Sequence, residues 1–132
     1  MDDFDLIKLA NEAKEKAYAP YSKFKVGAAI LTKEGKVFTG CNIENASFGS
    51  TNCAERTALF KAVSEGYRNF SKIAIVADSE DFTYPCGICR QVIAEFGTDI
   101  EVIVANKKLE YKVHQLYDLL PYAFSKKDIE RR

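Results

Sequence analysis

The sequence predicts an α/β fold, a three-layer α/β/α sandwich whose five-stranded mixed sheet carries helices on both faces. Continuous apolar runs at 73–77 and 102–105 are typical of strands buried on both faces. Helical patterns separate these runs, and buried strands that alternate with helices are typical of layered α/β domains. The 132 residues suffice for one such domain with a real core. We therefore predict a single domain over residues 1–132.

The first half of the chain predicts a helix, a hairpin and a second helix. A helix over 4–18 follows from apolar residues at nearly helical spacing, namely Phe4, Ile7, Ala10, Ala13, Ala17 and Tyr18. Pro20 ends it, because proline disfavours helical geometry in the preceding residue. Strands at 25–32 and 36–40 flank the turn 33–35, a hairpin pattern. The second helix is predicted over 54–65.

The second half alternates strands and helices. Its predicted elements are a strand at 73–77, a helix at 87–96 closed by Gly97, a strand at 102–105, an edge strand at 110–113 and a helical turn at 115–120. The two buried strands and the edge strand complete the predicted sheet.

Composition and charge exclude some classes of protein. Nineteen basic residues balance nineteen acidic ones, which argues against a nucleic-acid polymer as partner. A basic cluster near the end is interpreted as a solvated tail: Lys126, Lys127, Arg131 and Arg132. No apolar stretch reaches the ~18 residues that span a membrane. The acidic start Met1-Asp2-Asp3 does not resemble a signal peptide, so we expect a cytoplasmic protein.

Two short cysteine patterns carry the chemistry. Cys53-Ala54-Glu55 and Pro85-Cys86-Gly87-Ile88-Cys89 each lie where a predicted helix begins. One helical turn brings Cys86 and Cys89 to the same side, and a helix N-terminus favours thiolate. For a cytosolic protein, metal binding is the better explanation of such cysteines than disulfides. Zinc is the metal that three thiolates favour.

The number of ligands indicates catalysis. Structural zinc sites are closed by four protein ligands, whereas catalytic ones keep a position for water. Cys41 ends a predicted strand away from both helix starts, so we interpret it as a small buried hydrophobe. Zinc deaminases carry His-x-Glu followed by Pro-Cys-x-x-Cys, and here Cys53 takes the place of the histidine. Glu55 is then the proton shuttle for a zinc-activated hydroxide.

Two further expectations concern the geometry of Cys53 relative to Glu55 and the role of Arg56. Cys53 and Glu55 are two apart and would not face each other on a regular helix, so we expect Cys53 at the helix cap in non-helical geometry. Three thiolates make zinc electron-rich and a weaker Lewis acid. We expect Arg56 to offset this by donating to a sulfur.

A longer set of motifs resembles the small, homotetrameric cytidine deaminases. These motifs are Pro20-Tyr21-Ser22-Lys23-Phe24, Val26-Gly27-Ala28-Ala29, Gly40-Cys41-Asn42-Ile43-Glu44-Asn45-Ala46, Cys53-Ala54-Glu55-Arg56-Thr57-Ala58, Pro85-Cys86-Gly87-Ile88-Cys89-Arg90-Gln91 and Leu119-Leu120-Pro121. The Cys-Ala-Glu form is similar to the tetrameric branch. The resemblance implies one zinc ion per subunit. It also implies hydrolytic deamination of cytidine and 2′-deoxycytidine to uridine and 2′-deoxyuridine, a reaction of pyrimidine salvage.

The same resemblance implies roles for individual residues in substrate binding. Asn42 and Glu44 would bind the sugar hydroxyls, and Phe24 would pack on the face of the pyrimidine. The backbone N–H of Ala54 would bind the carbonyl oxygen of the base. Phe124 would reach into the pocket of a neighbouring subunit, so that active sites are shared in a homotetramer.

The chain departs from the family pattern at two positions. Phe48 stands where many members have tyrosine, which removes a hydroxyl near the expected subunit interface. Ile88 stands where alanine is usual, which adds bulk between the two zinc cysteines. Neither departure removes a predicted ligand or the glutamate.

Three alternatives remain open from the sequence. A dithiol redox protein would explain Cys86 and Cys89 but leaves Cys53 and Glu55 unexplained. A zinc-stabilised binding module would need a fourth ligand, and the single histidine, His114, lies in a polar edge segment far along the chain. A deaminase of polynucleotide cytosine, or of a nucleoside antibiotic such as blasticidin, would keep the chemistry and change the substrate.

Overall fold

Residues 1–130 are described by this computed structural model, and Arg131 and Arg132 of the predicted tail lie outside them. The elements are α1 (Asp3–Lys14), β1 (Val26–Thr32), β2 (Val37–Cys41), α2 (Ala54–Ser64), β3 (Phe70–Ala77), α3 (Gly87–Ala94), β4 (Glu101–Ala105), β5 (Tyr111–Gln115), α4 (Leu116–Leu119) and α5 (Lys126–Glu130). A short 3₁₀ turn at Phe48–Ser50 precedes α2.

The strands form one mixed sheet of five strands in the order β2-β1-β3-β4-β5. β1 runs antiparallel to β2 and to β3, β3 runs parallel to β4, and β4 runs antiparallel to β5. This confirms the predicted hairpin and the predicted mixed sheet. β3 starts at Phe70, three residues before the apolar run, because its first residues pair with the end of β1.

Helices cover both faces of the sheet, as predicted. On one face α1 packs Leu6, Ile7 and Ala10 against side chains from the middle strands, namely Ala29, Ala74, Val76, Ile103 and Ala105. On the other face α2 and α3 pack against the alternate positions of the same strands, among them Ala28, Ile30, Ile73, Ile75, Val102 and Val104. Alternation along β3 and β4 thus fills two cores.

The first helix is shorter than predicted. α1 ends at Lys14, so the predicted end of the helix at Tyr18 is wrong by four residues. The Tyr18 N–H donates to the Asn42 carbonyl at 3.0 Å, and the Glu44 N–H donates to the Tyr18 carbonyl at 2.8 Å. Because Tyr18 pairs with the segment after β2, its backbone is extended. Phe4 is also 42% exposed, so it does not belong to the buried stripe.

The C-terminal segment is partly helical. Lys126 and Lys127 are exposed on α5, which agrees with a solvated tail for the described part of that segment. Among residues 1–130, no helix combines the length and apolar character that crossing a bilayer requires.

Gly27 allows α1 to lie directly on the sheet. A Cβ at this position would be 2.0 Å from the Ala10 carbonyl oxygen and 2.5 Å from the Lys14 nitrogen. We therefore expect Gly27→Ala to lower the free energy of unfolding by about 2–3 kcal/mol, because backbone has to move. Gly49→Ala is the matched control, since a Cβ there meets nothing within 4 Å. Urea unfolding of both variants checks this, and equal stabilities would contradict it.

Candidate metal centre and active site

Three cysteine sulfurs converge at the starts of two helices. Cys53 is the N-cap residue of α2 and Cys86 that of α3, both with extended backbone, and Cys89 lies in the first turn of α3. The three sulfurs lie within 4.8 Å of one another. Because Cys53 is non-helical, with φ −74° and ψ 155°, its side chain is free of the helical spacing that would separate it from Glu55. This confirms the predicted cap geometry.

The cluster fits a single zinc ion. Two sulfurs that each lie about 2.3 Å from a tetrahedral zinc are about 3.8 Å apart. The Cys53 and Cys86 sulfurs are separated by 3.8 Å. Within residues 1–130 no further histidine, cysteine or carboxylate joins the three, so the cluster has the open form of catalytic sites.

Hydrogen bonds fix the backbone at Cys53. The Asn52 side-chain amide donates to the Thr57 hydroxyl at 2.9 Å, and that hydroxyl donates to the Cys53 carbonyl at 3.2 Å. Thr57 lies on the first turn of α2, so the cap residue is held against the helix that it starts.

Arg56 donates to the cluster, as expected from the sequence. Its Nη2 lies 3.4 Å from the Cys53 sulfur and 3.5 Å from the Thr51 carbonyl oxygen. The pKa of Cys53 falls to about 5, mainly because Cys89 donates a hydrogen bond to its sulfur, with further lowering by Arg56 and Cys86. The pKa of Cys89 is raised, mainly because it is the donor in that bond. The arginine therefore faces a sulfur whose pKa is lowered.

Glu55 is the buried acidic group beside the cluster. The residue is only 5% exposed. The pKa of its carboxyl is raised to about 7, mainly by burial and also by the neighbouring Cys53 thiolate, against lowering by its own backbone N–H, Cys89 and Arg56. A carboxyl with a pKa near neutrality can both accept and donate a proton at physiological pH.

Cys53, Cys86 and Glu55 line one cleft of about 190 Å³, and Cys89 lies buried behind it. Its walls are Val26, Asn42, Thr51, Cys53, Ala54, Glu55, Thr83, Tyr84 and Cys86. Ala54 is the first residue of α2, where backbone N–H groups have no partner within the helix. A larger cleft of about 450 Å³ between α1, α2 and β2 contains none of the three cysteines. Chemistry rather than size therefore locates the site.

Of the two predicted sugar-binding residues, only Asn42 lines this cleft. Its amide also has a structural role, because Oδ1 accepts from the Val26 N–H at 2.9 Å and Nδ2 donates to the Phe24 carbonyl at 2.8 Å. One amide hydrogen and one lone pair remain for a ligand.

Glu44 and Phe24 are not among the residues that form the wall of this cleft. The Glu44 carboxylate accepts from the backbone N–H of Tyr21 at 3.0 Å and of Ser22 at 3.1 Å, and from the Ser22 hydroxyl. These bonds lower its pKa. Glu44 lines an adjoining groove with Tyr21, Ser22, Phe48 and Thr51. Thr51 borders both spaces, so the groove continues the cleft.

No residue of the C-terminal segment up to Glu130 lines the cleft of its own chain. Phe124 is 51% exposed, and its carbonyl accepts from the Gln91 side chain at 2.9 Å. α3 therefore holds the segment that carries Phe124, through a residue two positions beyond Cys89.

The remaining sequence predictions have mixed outcomes. Cys41 lies outside the cluster, as predicted, but it is half-buried and lines the larger cleft instead of the core. His114 is not part of the cluster either, and its Nε2 lies 3.0 Å from the Tyr84 hydroxyl. Both positions at which the chain departs from the family pattern are exposed, Ile88 at 62% and Phe48 at 75%.

Sequence reasoning missed four residues of the cleft wall, namely Val26, Thr51, Thr83 and Tyr84. Thr51, Thr83 and Tyr84 stand two or three positions before the cluster cysteines Cys53 and Cys86. That proximity is a usable signal, because residues just before a metal ligand at a helix start must approach the same site.

The Arg56 contact predicts an effect on zinc affinity. We expect Arg56→Ala to weaken zinc binding by about 10–100-fold, because the Cys53 thiolate loses a charged donor. Arg68→Ala is the control, since that arginine donates only to backbone carbonyls near the end of α2. Zinc titration against a competing chelator checks this, and unchanged affinity in Arg56→Ala would contradict it.

A catalytic type of zinc centre on an α/β/α sandwich is the class that this geometry defines. The family model described as "Cytidine and deoxycytidylate deaminase zinc-binding region" matches residues 1–106. The chain therefore belongs to this deaminase family and is a zinc-dependent enzyme. Membership excludes the dithiol alternative, which predicted no zinc.

Individual relatives of the same family match nearly the full length of this chain. Cytidine deaminase from Sporosarcina psychrophila is 52% identical over 130 residues, which is 98% of this chain and 96% of that protein. Cytidine deaminase from Halalkalibacterium halodurans is 53% identical over 130 residues, with 98% of each covered. The crystal structure of cytidine deaminase from Burkholderia pseudomallei superposes with a TM-score of 0.91 at 54% identity, covering 94% of this chain and 100% of that one.

Proposed function

We propose that the chain hydrolyses cytidine and 2′-deoxycytidine to uridine and 2′-deoxyuridine with release of ammonia. The observation that carries the proposal is the convergence of the Cys53, Cys86 and Cys89 sulfurs beside a cleft that the buried Glu55 also lines. Relatives at 52% and 53% identity named cytidine deaminase support the choice of substrate.

Cys53, Cys86 and Cys89 hold one zinc ion in this proposal. Bound there, zinc would lower the pKa of a water molecule to about 7 and so would supply a nucleophile near neutral pH. Arg56 keeps the Cys53 sulfur hydrogen-bonded and so limits the negative charge that reaches the metal.

Glu55 moves the protons of the reaction. Its carboxylate takes a proton from the attacking water as the water oxygen bonds to C4 of the base, and passes it to N3. It then carries the second proton to the exocyclic amine, the C4–N4 bond breaks and ammonia leaves. Burial of Glu55 keeps competing water away from these transfers. General acid–base catalysis of this kind is worth ~10²–10⁴ in rate.

The remaining polar groups orient the nucleoside. The base enters the cleft with its carbonyl oxygen at the Ala54 N–H and one face towards Phe24. Its sugar lies over Asn42 and the adjoining groove, where Glu44 accepts from the sugar hydroxyls. The hydrogen bonds from Tyr21 and Ser22 hold Glu44 in place before substrate arrives.

We further propose a homotetramer in which Phe124 enters the site of a neighbouring subunit. Aromatic side chains around the site and the C-terminal segment are widely exposed, among them Phe48 at 75%, Tyr122 at 91% and Phe124 at 51%. Exposed apolar side chains of this size mark interaction surfaces when they lie together. A shared site makes assembly necessary for full activity.

The proposed setting of the reaction is the cytoplasm and pyrimidine salvage. The four cysteines are free thiols, and three of them form a metal cluster, which suits a reducing compartment such as the cytoplasm. Free nucleosides as substrate and product place the reaction in pyrimidine salvage. We propose that residues 1–132 act as one domain.

Cytidine and cytidine 5′-monophosphate together test the substrate class. No lysine or arginine is among the described residues that line the cleft or its adjoining groove, whereas Glu44 and Glu55 are. We expect kcat/KM for cytidine to exceed that for the monophosphate at least ~100-fold, because like charges repel and the phosphate stays unpaired. Loss of ultraviolet absorbance on deamination measures both rates. Comparable values would contradict a nucleoside enzyme.

A further inference from the structure

The loop between β3 and α3 supplies one wall of the cleft. Residues 78–86 contain no helix or strand, yet Thr83, Tyr84 and Cys86 all line the cleft with Glu55. Backbone groups hold the two ends of this loop, because the Asp78 N–H donates to the Lys25 carbonyl at 3.2 Å and Arg90 Nε donates to the Pro85 carbonyl at 2.8 Å. The middle of the loop, at 82–84, takes its position from side-chain contacts. The position of this wall of the cleft therefore depends on the contacts that the loop side chains make.

Strand β5 makes two side-chain contacts with this loop. The Tyr84 hydroxyl and His114 Nε2 lie 3.0 Å apart and share a hydrogen bond, with ring centroids 5.3 Å apart at 54°. The Lys112 ammonium lies 5.0 Å from the centroid of the Phe82 ring. Lys112 and His114 are two apart on a strand, so they share one face, and their partners are also two apart. One face of β5 thus holds the loop at two points.

We propose that Tyr84 determines specificity in the deamination proposed above and that His114 positions it. The reacting carbon C4 must lie near both Glu55 and the cysteine cluster. Tyr84 lies two residues before Cys86 and lines the same cleft. In this proposal its ring bounds the space next to C4. The substituents closest to C4 are those on the exocyclic amine N4 and on C5. The Tyr84 ring limits the size of these substituents.

The hydrogen bond to His114 keeps the ring in the wall. Tyr84 is 37% exposed, so packing alone leaves it room to turn outwards. A net hydrogen bond shifts such an equilibrium by about two- to tenfold. Loss of the bond therefore widens the cleft for part of the time, and loss of the ring widens it permanently.

The test compares cytidine with 5-methylcytidine and N4-methylcytidine as substrates of the zinc-loaded enzyme. Tyr84→Ser is expected to raise the kcat/KM of at least one methylated nucleoside relative to cytidine by about tenfold or more, the scale of one methyl group in a closed pocket. Tyr84→Phe keeps the ring and is expected to move the same ratio by less. Tyr111→Phe on β5 is the matched control, because Tyr111 lies outside the cleft wall.

His114 variants separate positioning from general stability. His114→Leu is expected to raise KM for cytidine about two- to tenfold, keep kcat, and shift the methyl ratio in the same direction as Tyr84→Ser. His114→Gln, which can still pair with the phenol, is expected to restore most of the wild-type ratio. A His114→Leu enzyme that loses thermal stability or zinc with an unchanged ratio would overturn the positioning role.

The outcomes for the two proposals are distinguishable. A zinc-loaded wild type that does not deaminate cytidine contradicts the proposed function itself. A wild type that deaminates cytidine, with methyl ratios in Tyr84→Ser less than threefold from the wild-type values, overturns the role of Tyr84 alone. An increase of threefold or more in the ratio for a methylated nucleoside supports it, and a decrease overturns it.

Discussion

Replacing Glu55 by glutamine is expected to lower kcat for cytidine by ~10² or more while the zinc content stays the same. Glutamine keeps the shape and polarity of the side chain but cannot take a proton from water or return it to the base. The lost general acid–base catalysis corresponds to about 3–5 kcal/mol of barrier. Steady-state kinetics with zinc measured on the same samples checks this.

The control for Glu55 lies at the other end of the same helix. Glu65 follows the last residue of α2 and is exposed, so Glu65→Gln changes the same charge far from the cleft. We expect its kcat to stay within about twofold of wild type. A Glu55→Gln enzyme with kcat within tenfold of wild type, at equal zinc, would show that another group moves the protons.

Replacing Cys89 by alanine is expected to abolish both zinc retention and activity. Cys89 is 0% exposed and lies within the cluster, so its loss removes one of three sulfurs without access for a substitute ligand. Two remaining sulfurs give a far weaker site, and a ligand that binds only the folded state stabilises it by mass action. The melting temperature of the variant is therefore expected to fall towards that of chelator-treated wild type.

Cys41→Ala is the matched control for this prediction. Cys41 is also a free thiol, but it ends β2 and lines the larger cleft away from the cluster. We expect this variant to keep one zinc per chain and near-normal activity. Zinc loss in Cys41→Ala together with full retention in Cys89→Ala would contradict the ligand assignment.

Most of the fold was predictable because its signals are local. The apolar runs at β3 and β4, the turn between β1 and β2, and the cap positions of α2 and α3 each follow from a few neighbouring residues. The end of α1 was not predictable in this way. Tyr18 leaves the helix because its backbone pairs with the Asn42–Glu44 segment, a contact between positions far apart in the sequence.

The candidate site likewise contains residues that local patterns predict and residues that only long-range contacts bring into place. Cys53, Glu55, Cys86 and Cys89 stand in two short patterns whose spacing already implies convergence, and the structure places them together. The place of Tyr84 two residues before Cys86 signals that it lies near the cluster, but no pattern in the sequence indicates its contact with His114 on β5. The backbone hydrogen bonds of Asn42 are equally a property of the folded chain.

Mass spectrometry of the product formed in H₂¹⁸O tests the central claim most directly. If the cleft beside the cysteine cluster catalyses hydrolytic deamination, zinc-loaded enzyme converts cytidine to uridine that carries one ¹⁸O atom and releases one ammonia per turnover. Metal-free enzyme forms neither product. Absence of uridine from fully zinc-loaded enzyme, or uridine without the label, would contradict the account.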